Sequence, residues 1–230
     1  MINLILIVLL LSGCELIWLM NSQQAKELPA VKIDTPPIID GNLNDAAWIK
    51  APQAKDFTDR NANHEPAIDQ TVVMLVYSDK AIYLAWYLYD EHPGDLVAFE
   101  TEDQMRPFRD DWISFTIDPF HTHQFMDRTF FMSNSLGVKF VSHPPLGVPI
   151  DEVPDMWDVA AKVVEDGWIV EMEIPWEMLN YPDSDDPIDI GINFDRGHPR
   201  TGENSWWSKV PFIEDDRKDG HWIGVVPPKK

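Results

Sequence analysis

Residues 71–90, "TVVMLVYSDKAIYLAWYLYD", contain two extended apolar runs separated by the polar residues 78–80. Runs rich in β-branched and aromatic residues around a short polar break predict a β-hairpin. In the second run, the alternate positions that begin at Ile82 and those that begin at Tyr83 are both apolar or aromatic. Alternate side chains of a strand point to opposite faces. We therefore expect this strand to be central in its sheet and covered on both sides.

The same pattern continues along the chain. "DDWISFTID" (110–118) alternates, with one set of side chains predicted to face inward and the other outward. The inward set is Ile113, Phe115 and Ile117, and the outward set is Trp112, Ser114 and Thr116. "EDGWIVEMEIPWEML" (165–179) contains a hairpin turn, a strand that ends at Pro175 and one helical turn. Roughly ten short strands, about 8–15 residues apart and without a long amphipathic helix, predict an all-β fold, an antiparallel, jelly-roll-like β-sandwich.

The segment before the hairpin, "IDTPPIIDGNLNDAAWIKAP" (33–52), combines turn residues with one short helical stretch. We expect Asn44 to cap this helical turn, which carries Trp48 toward the core. Four tryptophans are predicted to be core residues. They are Trp48, Trp86, Trp168 and Trp222.

Composition and charge restrict the class of partner. The chain has 230 residues, of which 44% are apolar, enough for one domain with a full core. Lys and Arg number 18 against 39 Asp and Glu, so the net charge is −21. A surface this acidic repels nucleic acid and anionic lipid, so neutral or cationic partners suit it better.

The N-terminal segment predicts export. "LILIVLLL" (4–11) is a short apolar run, and "LSGC" follows it and ends at Cys14, the one cysteine of the chain. This pattern resembles the bacterial lipobox, which predicts cleavage before Cys14 and its lipidation. Cleavage after Ala25 and an uncleaved anchor to Met20 are the alternatives. Each version places the protein at the bacterial cell envelope or outside the cell, with residues 1–26 as leader and tether and residues 27–230 as the domain.

A search for catalytic motifs gives little support for an enzyme. The sequence shows no Ser-His-Asp order, P-loop or dinucleotide fingerprint. A glycosidase needs two carboxylates at a defined separation, and 39 acidic residues make candidate pairs too plentiful to be informative. We therefore predict no catalytic residue.

Two kinds of metal site are compatible with the sequence. His121 and His123 have a spacing that zinc sites use, but no third ligand can be identified, and "DPFHTH" is expected to form a turn at a strand end. The acidic clusters "DSDD" (183–186) and "EDD" (214–216) offer oxygen ligands for a structural calcium ion, although neither has the spacing of an EF-hand loop.

Outward-facing aromatic residues point to a different kind of site. Alternation or loop position turns some of Phe108, Trp112, Trp206 and Trp207 outward. Polar residues expected near them are Arg106, Arg109, Arg196, Asn193 and Glu102. A sugar ring packs its C–H face on an aromatic surface while its hydroxyl groups bond to planar polar groups. This combination predicts a saccharide site.

The order of seven segments resembles the family 9 carbohydrate-binding modules and the family-9-like domains of bacterial envelope proteins. They are "IDGNLNDAAWIKAP", "YSDKAIYLAWYLYDEHP", "RDDWISFTIDPF", "NSLG", "EDGWIVEMEIPWEML", "GINFDRGHP" and "SWWS". Together they cover about residues 31–226, and "DGW" followed by "IPWEML" is the most specific piece.

The resemblance implies an antiparallel β-sandwich that binds saccharide without chemistry, often beside calcium ions and often attached to glycoside hydrolases. It implies two aromatic rings that clamp a terminal sugar, at the positions of Phe108 and Phe212 here. A polar contact is implied at Ser114. We expect one indole of "NSWWS" to enter the core and the other, Trp207, to be exposed near the ligand.

The main hypothesis is thus an exported, non-catalytic domain that binds poly- or oligosaccharide in polysaccharide catabolism. Its predicted ligand-binding residues are Phe108, Arg109, Trp112, Asn193, Arg196, Trp206, Trp207 and Phe212. The alternatives are haem b binding, an envelope protein-interaction scaffold and a glycoside hydrolase. Axial haem ligands would come from Met74, Met105, Met126, His121 and His123.

Overall fold

The computed structural model describes residues 25–60, 65–144, 148–208 and 220–230. Within these ranges the strands are β1 (Glu27–Pro29), β2 (Gln53–Ala54), β3 (Thr58–Asp59), β4 (Thr71–Tyr77), β5 (Ala81–Tyr89), β6 (Trp112–Asp118), β7 (Thr129–Asn134), β8 (Phe140–Ser142), β9 (Asp158–Val164), β10 (Gly167–Pro175), β11 (Ile188–His198), β12 (Glu203–Trp206) and β13 (Gly220–Val225). The helices are α1 (Ala46–Ile49) and four 3-10 turns at Pro93–Asp95, Phe125–Asp127, Val153–Met156 and Trp176–Met178. Among these residues no helix is long and apolar enough to cross a membrane.

The strands form two sheets. The five-stranded sheet has the order β2-β4-β5-β10-β9 and is antiparallel throughout. The eight-stranded sheet has the order β1-β13-β11-β6-β7-β8, with β12 beside β11 and β3 beside β12. Only the terminal pair β1 and β13 is parallel among the described strands. The predicted antiparallel sandwich is confirmed.

The hairpin at residues 71–90 has the predicted form. β4 and β5 pair around residues 78–80, and β10 pairs with the other edge of β5, so β5 is the middle strand of its sheet. Trp86 faces the other sheet, while Tyr83 belongs to a second apolar cluster on the outer face. Both faces are covered, as the aromatic and apolar alternation requires.

The core lies between the two sheets. Trp86 from β5 meets Phe194 from β11 edge to face, with ring centroids 5.5 Å apart. Phe115 from β6 stacks on the same Phe194 ring at 5.6 Å. The predicted inward set of β6 is fully buried, and so are Trp168 and Trp222. Interdigitated aromatic rings of this kind fix the distance and alignment of the two sheets.

The outer face of the five-stranded sheet is covered by the chain that precedes β2. α1 begins after Asp45, which makes no side-chain cap bond, so the expectation that Asn44 caps it is wrong. Trp48 is buried, but it lies in the outer cluster rather than between the sheets. Its indole Nε1–H donates to Glu171 Oε1 at 2.9 Å. Residues 31–51 therefore cover the outer face of the five-stranded sheet. The outer face of the eight-stranded sheet is the one that stays open to solvent.

Candidate functional site

A cleft of about 800 Å³ lies on the outer face of the eight-stranded sheet. Side chains that point away from the core on β6, β7, β8, β11 and β12 form its floor and walls. One row of register partners crosses these five strands, namely Trp206, Asp195, Ser114, Met132 and Phe140. Five neighbouring strands span about 19 Å at normal strand spacing. The cleft is long enough for an extended ligand.

Aromatic residues stand at both ends of that row and beside it. Trp206 begins the row and Phe140 ends it, and both line the cleft. Trp112 and Phe108 form an edge-to-face pair with centroids 5.5 Å apart, and Phe108 is 54% exposed. Gly197 is the register partner of Trp112, and a Cβ there would lie 1.9 Å from the indole Nε1. The missing side chain thus lets the Trp112 ring lie against strand β11.

The floor of the cleft is polar at its centre. Asp195, Ser114 and Thr116 lie side by side on β11 and β6, between the aromatic residues. Ser114 Oγ is buried and makes no hydrogen bond within the described part of the chain. The same holds for Nε2 of Gln104, which lines one wall. Buried polar atoms normally have a partner, so these two are suited to a polar ligand.

Three arginines also line the cleft, although the whole chain is strongly acidic. The guanidinium of Arg60 lies 5.1 Å from the Trp206 ring centroid, and that of Arg106 lies 5.5 Å from the Phe140 ring centroid. Burial raises the pKa of Asp195 to about 7, and the positive charges of Arg60 and Arg128 oppose this rise. Trp206 and Phe140 are themselves only 5% and 8% exposed, whereas Phe108 presents an exposed ring. The cleft therefore combines the Phe108 ring with cations and with one carboxyl whose pKa is raised.

Four of the predicted ligand-binding residues line this cleft. They are Phe108, Trp112, Asn193 and Trp206. Asn193 is fixed by the protein itself, because its Oδ1 accepts hydrogen bonds from the backbone N–H groups of Phe194 and Ser208 at 2.9 and 3.0 Å. Its amide Nδ2 donates to the Ser208 carbonyl oxygen at 3.3 Å. Asn193 therefore holds the chain after β12 against β11.

The prediction that Trp207 is the exposed ring is wrong. Trp206 pairs with Asp195 and so shares the outer face, which places the next side chain on the inner face. Trp207 is only 3% exposed and packs on Phe194 in the core, with centroids 5.4 Å apart. Gly220 makes room for it, because a Cβ there would lie 2.1 Å from Cζ3 of Trp207.

Two predicted arginines lie away from the cleft. Arg109 is exposed and packs on the ring of Phe99 at 5.1 Å. Arg196 is 1% exposed on the inner face of β11, where its Nη1 donates to the Asp69 carbonyl oxygen at 3.2 Å. Its position follows from strand parity, because residue 196 points opposite to Asp195. Phe212, Cys14 and the acidic cluster at 214–216 lie outside the described residues.

Arg196 belongs to a buried charge network at one end of the sandwich. Asp90, His198 and Asp69 have ligand atoms within 4.8 Å of one another, a grouping that could hold a metal ion. However, Arg200 Nη2 contacts Asp90 Oδ2 directly, and Arg196 Nη2 lies 3.7 Å from the same oxygen. Burial and the neighbouring Arg196 both lower the pKa of His198. The two guanidinium groups already supply the positive charge that a cation would bring, so we interpret this network as structural.

The acidic cluster at 183–186 and the methionine candidates for haem ligation lie in different parts of the structure. In the 183–186 cluster, Asp185 contacts the ammonium of Lys229, which neutralises part of its charge. Met74 is buried in the outer cluster of the five-stranded sheet, whereas Met105 and Met126 are 47% and 70% exposed. None of the five haem-ligand candidates is among the described residues that line the cleft.

Several cleft residues were missed by sequence reasoning. Asp195 could have been found, because it shares the outward parity of Asn193 along "INFD". Arg60 follows β3, and Arg128 and Phe140 lie outside the regular alternation that marked the other residues. Their place in the cleft depends on strand pairing between distant segments, which the sequence does not show locally.

Comparisons with solved structures agree with this architecture. A family 9 carbohydrate-binding module from Caldicellulosiruptor kristjanssonii, in complex with glucose, has a TM-score of 0.63 at 15% identity, covering 86% of this chain and 95% of that one. The cellotriose complex of a family 9 module from the same organism has a TM-score of 0.63 at 16% identity, covering 89% and 100%. A protein from Bacteroides uniformis, proposed to bind carbohydrate, has a TM-score of 0.67 at 15% identity, covering 87% and 99%.

Neither a protein-family model nor a curated protein matches the sequence. At this level of identity the structural matches bear on architecture. The chain has the fold of the family 9 carbohydrate-binding modules.

Proposed function

We propose that this chain is a non-catalytic carbohydrate-binding domain whose ligand lies in the cleft of the eight-stranded sheet. One observation carries the proposal: aromatic rings flank a polar floor on which Ser114 Oγ lacks a hydrogen bond from the described residues. A saccharide offers apolar C–H faces for the rings and hydroxyl groups for the floor. A few placed polar groups among apolar walls are typical of small-molecule sites.

The fold supports the class of ligand. The two family 9 modules that share this fold were solved with glucose and cellotriose. From this similarity we infer only the class of ligand, a saccharide, for this chain. The three arginines of the cleft extend the set of candidates to sugars that carry carboxylates, since a guanidinium binds a carboxylate through two parallel hydrogen bonds.

The small number of acids among the described residues of the cleft supports a binding role. Among the described residues that line the cleft, Asp195 is the one with a carboxyl group. Glycoside hydrolysis ordinarily needs two carboxyl groups on either side of the scissile bond. We therefore propose that the cleft holds the saccharide and leaves its glycosidic bonds intact, and that the domain acts beside enzymes of polysaccharide catabolism.

Export, lipidation of Cys14, envelope localisation and a structural calcium ion stay predictions from the sequence. We propose the lipid-anchored form at the bacterial cell envelope, because "LSGC" directly follows an apolar run of signal-peptide length. Mass spectrometry of the membrane fraction tests this proposal. A diacylglyceryl group on Cys14 supports it, and an N-terminus at residue 26 contradicts it.

The binding proposal is tested by titrating the purified protein with neutral and uronic-acid glycans, with calorimetry and tryptophan fluorescence as the two readouts. We expect saturable binding to one glycan class. Phe108→Ala should weaken that binding about three- to tenfold, since aromatic contacts contribute about 0.5–1.5 kcal/mol beyond area burial. The same titration with and without calcium tests the metal prediction.

Phe99→Ala is the matched control. Phe99 is 63% exposed, comes from the same stretch of chain before β6 and does not line the cleft. Its substitution should leave glycan affinity unchanged. Equal loss in both variants, or no binding to any glycan in the panel, would contradict the proposed function while leaving the fold as described.

A further inference from the structure

Three histidines meet at the end of the eight-stranded sheet, on the outer face, and none of them lines the cleft. The ring centroids of His121 and His123 are 4.4 Å apart, and those of His121 and His221 are 4.7 Å apart. The third distance, between His123 and His221, is 6.4 Å. Two of these rings come from the turn after β6 and the third comes from β13, about 100 residues later. The fold thus supplies the third histidine that the sequence alone could not identify.

Local structure places the two turn histidines beside each other. The predicted turn at the end of β6 is confirmed, and His121 and His123 both have positive φ, at 53° and 60°. Such backbone is uncommon for residues other than glycine, and it is concentrated at functional sites. The carboxylate of Asp118 fixes the turn, because its Oδ2 accepts the His123 backbone N–H at 2.8 Å.

A glycine lies beneath the cluster. Gly191 on β11 has Asp118 as register partner on one side and His221 on the other. A Cβ on Gly191 would lie 3.4 Å from Cδ2 of His121 and 3.2 Å from Cβ of Asp118. The His121 ring therefore lies over the glycine backbone, between the two neighbouring strands.

The polar atoms of this cluster are incompletely satisfied. His121 Nε2 and Asp118 Oδ1 are both buried, and neither makes a hydrogen bond to any residue that the structure describes. A buried polar atom without a partner calls for an explanation, and a role in binding an ion is one of the recognised explanations. Imidazole nitrogen is a preferred ligand of zinc and related divalent transition metals.

We propose that His121, His123 and His221 form a binding site for one divalent transition-metal ion, with zinc as the expected occupant. Ring centroids of imidazoles around a tetrahedral zinc lie about 5 Å apart, given Zn–N bonds of about 2.0 Å. The three observed distances lie on either side of this value. Three histidines leave the fourth zinc position open to water or a ligand.

The rings must turn to bind the ion. Of the residues described, the set with three ligand atoms within 4.8 Å of one another is Asp69, Asp90 and His198, and not the histidine cluster. All three imidazoles are partly exposed, so rotation about their side-chain torsions can bring the nitrogens together. Asp118 and Asp189 lie close enough to act electrostatically on His121, so their negative charges favour a cation there.

The test uses the protein without a polyhistidine tag, in calorimetric titration with Zn²⁺ and in visible absorption with Co²⁺. We expect one zinc ion per chain and the absorption bands of tetrahedral cobalt. Removal of a ligand should cost at least about 100-fold in affinity, more than loss of a supporting contact. His221→Ala and His123→Ala should both show that loss, and melting curves establish that each variant is folded.

His92→Ala is the matched control, because His92 is exposed and its ring is not part of the cluster. Its zinc affinity should equal that of the unaltered protein. Absence of stoichiometric zinc binding would overturn the proposal. Zinc binding that survives both cluster variants would also overturn it, and would point to the Asp69, Asp90 and His198 group instead. Since neither Phe108→Ala nor its control Phe99→Ala alters a histidine of the cluster, this result is independent of saccharide binding.

Discussion

The outer faces of the two sheets carry similar side chains, but one face is covered by the chain and the other is not. Each has a tryptophan beside a carboxyl group, namely Trp48 with Glu171 on the five-stranded sheet and Trp206 with Asp195 on the eight-stranded sheet. On the first face the chain folds residues 31–51 over the sheet and excludes solvent. On the second face no described segment covers the centre, and an 800 Å³ cleft remains.

The difference lies in how the two carboxyl groups are satisfied. Glu171 accepts hydrogen bonds from the indole N–H of Trp48 and from the backbone N–H groups of Asp40 and Gly41, at 2.8–3.1 Å. Asp195 instead shares its cleft with the side chains of Arg60 and Arg128, which act on it through charge. One acid therefore holds a loop in place, whereas the other lies in the cleft between two arginines.

The largest effect is expected from Glu171→Ala. It leaves two buried donors, the Gly41 N–H and the Trp48 indole N–H, without an acceptor, and each unsatisfied group costs about 1–3 kcal/mol. We predict a decrease of at least about 2 kcal/mol in the free energy of unfolding, measured by urea denaturation. Tryptophan fluorescence should also shift to longer wavelength as Trp48 becomes exposed.

Glu177→Ala is the control for this prediction, since Glu177 is exposed on the turn that follows the same strand. It should change stability by less than about 0.5 kcal/mol. If Glu171→Ala is no more destabilising than Glu177→Ala, the carboxylate does not hold the covering loop, and the comparison between the two faces fails.

The sequence correctly predicted which way a side chain faces wherever alternation along one strand decides it. Alternation along β6 correctly assigned Trp112 and Ser114 to one face, and the apolar positions of β5 correctly predicted cover on both sides. The sequence did not predict the surroundings of side chains that depend on contacts between distant segments. The sequence analysis did not single out Glu171, which a loop 130 residues away buries. Trp207 was misplaced because its face depends on the pairing of β12 with β11, which no local pattern fixes.

The second prediction concerns the shape of the open face. In Gly197→Ala the new Cβ would lie within 2 Å of the Trp112 indole, so the ring must leave its position against β11. We expect saccharide affinity to fall about tenfold, equivalent to about 1.4 kcal/mol, with little change in cooperativity of unfolding. Calorimetric titration with the glycan that binds the unaltered protein measures this change.

Gly94→Ala is the matched control, because a Cβ at Gly94 would meet nothing within 4 Å. Its affinity should equal that of the unaltered protein. Full affinity in Gly197→Ala would show that the position of the Trp112 ring does not matter, and would remove this ring from the proposed site.

The last prediction concerns the titration of Asp195. Its pKa in the folded protein, about 7, lies above the value of about 3.9 for an unfolded aspartate. The folded state therefore holds the proton more tightly, and Asp195 makes the protein less stable as pH rises from about 4 to about 7. In Asp195→Asn this contribution should disappear, so the free energy of unfolding should depend less on pH in that window.

Fluorescence offers a second readout of the same group, because Trp206 is the register partner of Asp195. We expect the emission of the unaltered protein to change with a midpoint near pH 7, and Asp195→Asn to lose that transition. Asp189→Asn is the control, since Asp189 is exposed on the same strand and does not line the cleft. A transition that persists in Asp195→Asn would assign the titration to another group. The comparison between Glu171, which accepts hydrogen bonds from a loop, and Asp195, which lies among arginines, would then no longer hold.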